Sequence, residues 1–271
     1  MHVTLTTSAG GRHPNQDVVA ALPHAVVLLD GAGMPDTEAF CRHGVAWYAR
    51  RLGAALIARL ASDDGPTLVD LLAEAIVEVT DAHRDSCDVS HTRSPSSTVL
   101  IVREEGDDLD YLVLGDSTLV IHRPGRLPEA LTDSRETALG RDVRAAFAAT
   151  REGSPERERA RAAAAELFAA SRNRPGGFWM AKDDPRAAAE AVVGRIALAG
   201  VAAVGLFSNG VSRLVDPWGE ADWAGILDLI AAGDPDAVIA RVRDAESRRP
   251  GESADDATFA VCTTFGSREP R

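Results

Sequence analysis

Two hydrophobic periods alternate along this chain. His2 to Thr7 alternates polar and apolar residues, a Gly10-Gly11 pair interrupts it, and two apolar runs follow, Val18 to Leu22 and Ala25 to Leu29, parted by Pro23-His24. Period-two patterning and short apolar runs bounded by turn residues predict strands. The period then lengthens. Val45, Tyr48, Leu52, Leu56 and Leu60 fall at helical spacing within Thr37 to Leu60, as do Leu68, Leu71, Leu72, Ala75 and Val79 within Pro66 to Arg84. Pro66 suits the opening of the second helix, where a missing N–H costs nothing. These two helices are expected to cover one face of a sheet.

Strand patterning returns at Ser97 to Val102, passes a polar turn at Glu104 to Asp108 and continues through Leu109 to Leu114 and Thr118 to His122, which reads as a meander. Asp133 to Gly194 is mostly helical and strongly charged, with Pro155 to Ser171 its clearest helix, and reads as an insertion or lid (133–194) within a single domain spanning 1–271. Phe178-Trp179-Met180, after a glycine pair, suits either a cap over a ligand or packing that anchors the insertion. Ile196 to Leu198 and Ala202 to Phe207 resume the sheet, Asp222 to Ala232 and Pro235 to Ser247 are helical, and Thr258 to Thr263 closes the fold as a strand before a frayed tail.

Composition narrows the function. With 271 residues and 45% apolar content the chain can bury one substantial core. A formal charge of −12 disfavours nucleic acid, which demands a basic stripe, and all the cationic side chains but Lys182 are arginine. Cys41, Cys87 and Cys262 lack CxxC spacing, and the histidines lack paired helical spacing, so neither a disulfide framework nor a zinc site is expected. The longest apolar stretch, Ile196 to Phe207, is too short for a membrane span and carries Gly200 and Gly205. No signal peptide is visible, and a reducing cytoplasm is the expected location.

The chemistry sits at the predicted strand ends. Arg12 precedes Asn15-Gln16-Asp17; Asp30-Gly31 ends a buried strand; Gly115-Asp116-Ser117 forms a corner; Ser208-Asn209-Gly210 follows a strand; Asp255-Asp256-Ala257-Thr258 precedes the last one. Carboxylates gathered from separate elements repel one another unless a hard, oxygen-preferring cation such as Mg²⁺ or Mn²⁺ lies among them. The ordered set, from Gly11 to Thr263, resembles the metal-dependent protein phosphatases, the type 2C serine/threonine family.

That resemblance implies an α+β fold, a four-layer αββα sandwich of two central antiparallel sheets flanked by helices. It further implies a Mg²⁺- or Mn²⁺-dependent phosphomonoester hydrolase with two ions, acting through a metal-bound hydroxide on a phosphoprotein or a small phosphorylated metabolite. Asp30 would bridge the ions, with the Gly31 carbonyl on one of them and Asp255 on the other. Asp116 would help hold a third ion, Arg12 would grip the phosphate, and Asp17 and Asp256 would stand behind the ligands, Asp256 alternatively serving only as a turn cap. The family pattern has Glu where this chain has Gln16, and Asp where it has Asn209. Each swap keeps shape and removes a charge, so weakened metal occupancy is expected. Two alternatives therefore accompany the hydrolase: a degenerate module that binds a phosphorylated ligand without hydrolysis, and a centre recruited to another metabolic reaction.

Overall fold

The computed structural model describes residues 1–11, 13–62, 66–148, 150–151, 153–249 and 253–266. Arg12 and the tail beyond 266 lie outside them. In chain order the strands are β1 (His2–Ser8), β2 (Val18–Leu22), β3 (Ala25–Leu29), β4 (Gly31–Ala32), β5 (Ser96–Ser97), β6 (Val99–Glu105), β7 (Asp108–Leu114), β8 (Thr118–His122), β9 (Glu129–Leu131), β10 (Val192–Ala197), β11 (Ala203–Phe207) and β12 (Ala257–Thr263). The helices are α1 (Thr37–Phe40), α2 (Gly44–Leu60), α3 (Leu68–Asp81), α4 (Ser134–Ala148), α5 (Pro155–Ser171), α6 (Asn209–Ser212), α7 (Trp223–Ala231) and α8 (Pro235–Ser247), with a 3₁₀ turn at Pro185–Glu190.

Two five-stranded antiparallel sheets form the centre, ordered β1-β12-β11-β8-β9 and β10-β7-β6-β3-β2. They face each other through Val26, Leu28, Leu100, Leu119, Leu206 and Ala260, among others. On the outer face of the second sheet Ala25, Val27 and Leu29 meet Tyr48, Leu52 and Leu72 of α2 and α3. On the outer face of the first, Phe207 and Phe259 meet Ile226 of α7 and Val238 and Val242 of α8. This is the four-layer αββα sandwich. It also explains the unbroken apolar run of β3: alternate side chains enter two different cores, so no position faces water.

The structure amends the predicted elements in several places, and one of them is β10, which opens at Val192 inside the stretch read as helical and pairs with β7. Thr118 to His122 does not continue a meander; β8 belongs to the other sheet, because Gly115, at φ 83°, turns the chain across the sandwich. Thr37 to Leu60 is two helices, since Cys41 is extended and Gly44, where α2 opens, takes φ 74°. Phe178, Trp179 and Met180 are buried, and Ala181 exchanges main-chain hydrogen bonds with Ser97 at 2.9 Å in both directions, so this segment anchors. Tyr48 adds a hydroxyl bond of 2.7 Å to the Lys182 carbonyl. The three-residue β9 at a sheet edge has no hydrophobic pattern by which to be read.

Because Leu28 lies in the core between the sheets, Leu28→Ala is expected to cost about 2–5 kcal/mol in urea unfolding. Leu127→Ala, at a side chain 90% exposed, should stay within about 0.5 kcal/mol of the parent.

Candidate active site

Strand register carries the polar segments to one end of the sandwich. Val18 pairs with Leu29, which sets Asp17 across from Asp30. Phe207 pairs with Phe259; beyond that pair the Ser208 N–H donates to the Thr258 carbonyl at 2.9 Å, and the Thr258 N–H to the Ser208 hydroxyl at 3.0 Å. Asn209 and the Asp255-Asp256 pair therefore emerge side by side, while the Gly115 turn delivers Asp116. Two glycines are obligatory: a Cβ on Gly31 would lie 2.5 Å from the Gln16 carbonyl, and one on Gly10 2.1 Å from the Asp255 main chain.

Hydrogen bonds fix the loops in this packing. Asp256 accepts from the Gly10 N–H at 2.9 Å and the Gln16 N–H at 2.7 Å, stapling the N-terminal loop to the last strand. Gln16 thus enters the network through its main chain. Arg243 donates to the carbonyls of Asp255 at 2.6 Å and Ser8 at 2.9 Å, and Glu246 accepts from the Asp255 N–H at 2.9 Å. Asp30 is held through its carbonyl, which accepts from the Thr98 N–H at 2.9 Å and the Ser97 hydroxyl at 3.0 Å.

Asn209 is the hub of the side-chain network. Its N–H donates to Asp30 Oδ2 at 2.9 Å and its Nδ2 to Asp116 Oδ2 at 2.6 Å. Its Oδ1 accepts from Arg213 Nε at 2.9 Å, and Arg213 Nη2 continues to Asp255 Oδ2 at 2.5 Å. Arg213 went unnoticed in the sequence. The available signal was its spacing: four residues after Asn209 on a helical turn, it faces the same way.

Four carboxyls share this pit, and burial holds every one above its ordinary value. Asp30 is raised well above the carboxylate range by burial and then by the charges of Asp17, Asp255 and Asp116, against which the Asn209 N–H pulls back. Asp17 is pushed up to about 7 by burial, with the Thr258 and Ser208 hydroxyls opposing it. Asp116 and Asp255 are raised by burial too; Asn209 and then Arg213 oppose the rise at Asp116, and Arg213 opposes it at Asp255. The buried Asp17 Oδ2 has no hydrogen-bond partner among the described residues. Hard oxygens with surplus negative charge and an orphaned carboxylate oxygen fit a divalent cation on the Asp30 side. Among the described residues, however, no three His, Cys, Asp or Glu side chains converge on one point as a ready ligand set. Asp116 and Asp255 are each engaged by a protein donor.

A groove of about 990 Å³ opens from the pit, with Asp116, Asn209 and Arg213 at one end and Arg141, Arg157 and Trp218 along its walls. Glu136 also lines it, with Oε2 unpartnered among the described residues and its carboxyl pushed up to about 8, first by burial and then by Asp116. The folded protein therefore keeps this proton up to about 8, whereas the ordinary value is 4.5. Between those values the unfolded chain binds fewer protons, so Glu136 makes stability fall as pH rises. Glu136→Gln should match the parent's melting temperature near pH 4 and exceed it near pH 8, in paired thermal melts across that range.

The family model for Protein phosphatase 2C matches residues 8–228. No curated protein matches the chain in sequence. Among solved structures it is similar to the serine/threonine phosphatase Stp1 from Staphylococcus aureus, at 15% identity and a TM-score of 0.63 over 97% of this chain and 95% of that one. It is likewise similar to the PPM Ser-Thr phosphatase MsPP from Mycobacterium smegmatis, solved with cacodylate, at 20% identity and 0.57 over 98% and 99% of the two chains. A third is the catalytic domain of the serine/threonine phosphatase PstP in complex with two manganese ions, at 18% identity and 0.59 over 96% of each. These likenesses bear on the fold. Membership rests on the match to residues 8–228, and by it the chain belongs to the protein phosphatase 2C family.

Proposed function

We propose that the chain is a Mg²⁺- or Mn²⁺-dependent phosphomonoester hydrolase whose reaction takes place over the acidic pit. The observation that carries this reading is the surplus of buried negative charge around Asp30, with the orphaned Asp17 oxygen beside it. Asp30 and the Gly31 carbonyl would hold one ion, and Asp255 with the Asn209 amide oxygen would border the position where a second could fit. Asp116 would serve a weaker third position. When bound, such ions polarise phosphoryl oxygens and supply a nucleophile at neutral pH.

The remaining roles belong to the chain itself. Asp17 borders Asp30 and accepts a proton near neutrality; Asp256 fixes the loop that carries Gln16 and Asp17. Arg12, outside the described residues, would grip the phosphate as a bidentate donor. Within 133–194, α4 and α5 would act as a lid, with their Arg141 and Arg157 bordering the groove. The substrate is then a phosphorylated protein segment, which suits an open groove and the family, or a small phosphorylated metabolite. Among the described residues no helix is long and apolar enough to cross a membrane. The free thiols of Cys41, Cys87 and Cys262 suit a cytoplasmic site of action.

A second reading, ligand binding without hydrolysis, draws on the hydrogen bond from the Asn209 amide to Asp116, which a carboxylate at that position could not donate. The two are separated by phosphate release from an aryl phosphate during Mn²⁺ titration of metal-stripped protein. The hydrolase reading expects Mn²⁺-dependent turnover that Asp30→Asn lowers by about 100-fold or more. Turnover indifferent to Mn²⁺, or surviving Asp30→Asn, overturns it. Absent turnover that Gln16→Glu with Asn209→Asp restores supports the second reading instead.

A further inference from the structure

We propose that Arg213 stands in for a divalent cation at Asp255 and Asn209, so that the pit takes up one ion, on its Asp30 side, where two would otherwise fit. The inference rests on the metal-dependent reading above and concerns what this chain has done to that site.

The guanidinium meets one oxygen from each of two side chains, Asn209 and Asp255. Arg213 Nε donates to Asn209 Oδ1 at 2.9 Å and Nη2 to Asp255 Oδ2 at 2.5 Å, so one planar cation spans both groups. These are the contacts a metal ion at that position would make, supplied by a fork of fixed geometry that stays charged at any physiological pH. The Arg213 side chain is 27% exposed, which leaves it largely desolvated, and the Trp218 ring lies 5.9 Å from its guanidinium carbon.

Charge balance across the pit agrees. Arg213 is the cation that opposes the rise at Asp255 and, after Asn209, at Asp116. Among the described residues no cation is a leading influence on Asp30 or Asp17. A divalent ion on the Asp30 side would supply the positive charge that Arg213 brings to Asp255.

Asn209 makes the arrangement self-consistent. Its amide accepts from Arg213 through oxygen and donates to Asp116 through nitrogen at 2.6 Å. An aspartate there would face the Asp116 carboxylate as a second like charge, which a further cation or a shared proton would have to relieve. The amide at 209 and the arginine at 213 are one substitution in physical terms: the first removes the need for a metal, and the second fills its place.

The test reads ion count rather than turnover. Metal-stripped full-length protein is equilibrated with Mn²⁺, and bound manganese per chain is measured by mass spectrometry with calorimetry alongside. One ion is expected for the parent, one for Arg213→Lys, which keeps the charge, and two for Arg213→Gln combined with Asn209→Asp. Arg213→Gln alone should lower the metal-free melting temperature by about 2–4 °C, with Mn²⁺ restoring it. Two ions on the parent, or a count unchanged in the double variant, overturns the proposal. A parent that takes up no ion while the double variant gains one upholds the role of Arg213 and overturns the metal-dependent reading instead.

Discussion

Everything at the working end of this molecule depends on how buried carboxylates are neutralised. An ionised carboxyl withdrawn from water needs a cation, a proton or a set of N–H donors, and without one of these the fold could not keep it there. The chain uses all three. Asp256 is satisfied by two main-chain N–H groups, from Gly10 and Gln16. Asp255, whose side chain stays partly open to water, takes a guanidinium. Glu136 keeps its proton up to about 8. The loops lie where they do because these pairings draw them in, and the sandwich end closes around charge rather than around apolar side chains.

The two sheets make that placement rigid. β3 and β12 are interior strands, buried on both faces for nearly their whole length, so neither can shift register without exposing a core. Asp30 and Asp255-Asp256 hang from the ends of these two strands and inherit their fixity. Glycine then sets how closely the loops approach: the main chains at Gly10 and Asp255 touch with no room for a methyl group. Precision at the site is thus a property of strand pairing, with helices α2, α3, α7 and α8 serving to keep the sheets in place.

Much of this was legible along the chain, for reasons that can be named. α5 and α8 begin at Pro155 and Pro235 and run as patterned, because proline at the first turn and a preceding Ser154 or Asp234 cap are local signals. Asp30 was legible because a five-residue apolar run ends on it. The crossing of β8 into the other sheet was not, since a glycine corner between two apolar strands looks the same whether the chain folds back beside its neighbour or crosses the sandwich. The clamp of Asp256 on Gly10 and Gln16 joins residues some 240 positions apart, and no local pattern announces such a pair.

Arg213 shows most clearly where sequence reading stops. Alone it is one arginine among many in a chain almost without lysine, and Asn209 read alone is a lost charge. Their meaning appears only when β11 and β12 pair and bring residue 209 beside residue 255. The missing negative charge and the added positive charge then fall on the same few ångströms, both reducing the pit's net anionic character. An amide can receive a guanidinium with its oxygen while donating a hydrogen bond to a carboxylate with its nitrogen, which an ionised side chain of the same shape cannot do. The departure from the family pattern at Asn209 is therefore more than a weakened ligand: it is the group that joins Asp116 to Arg213 and, through Arg213, to Asp255.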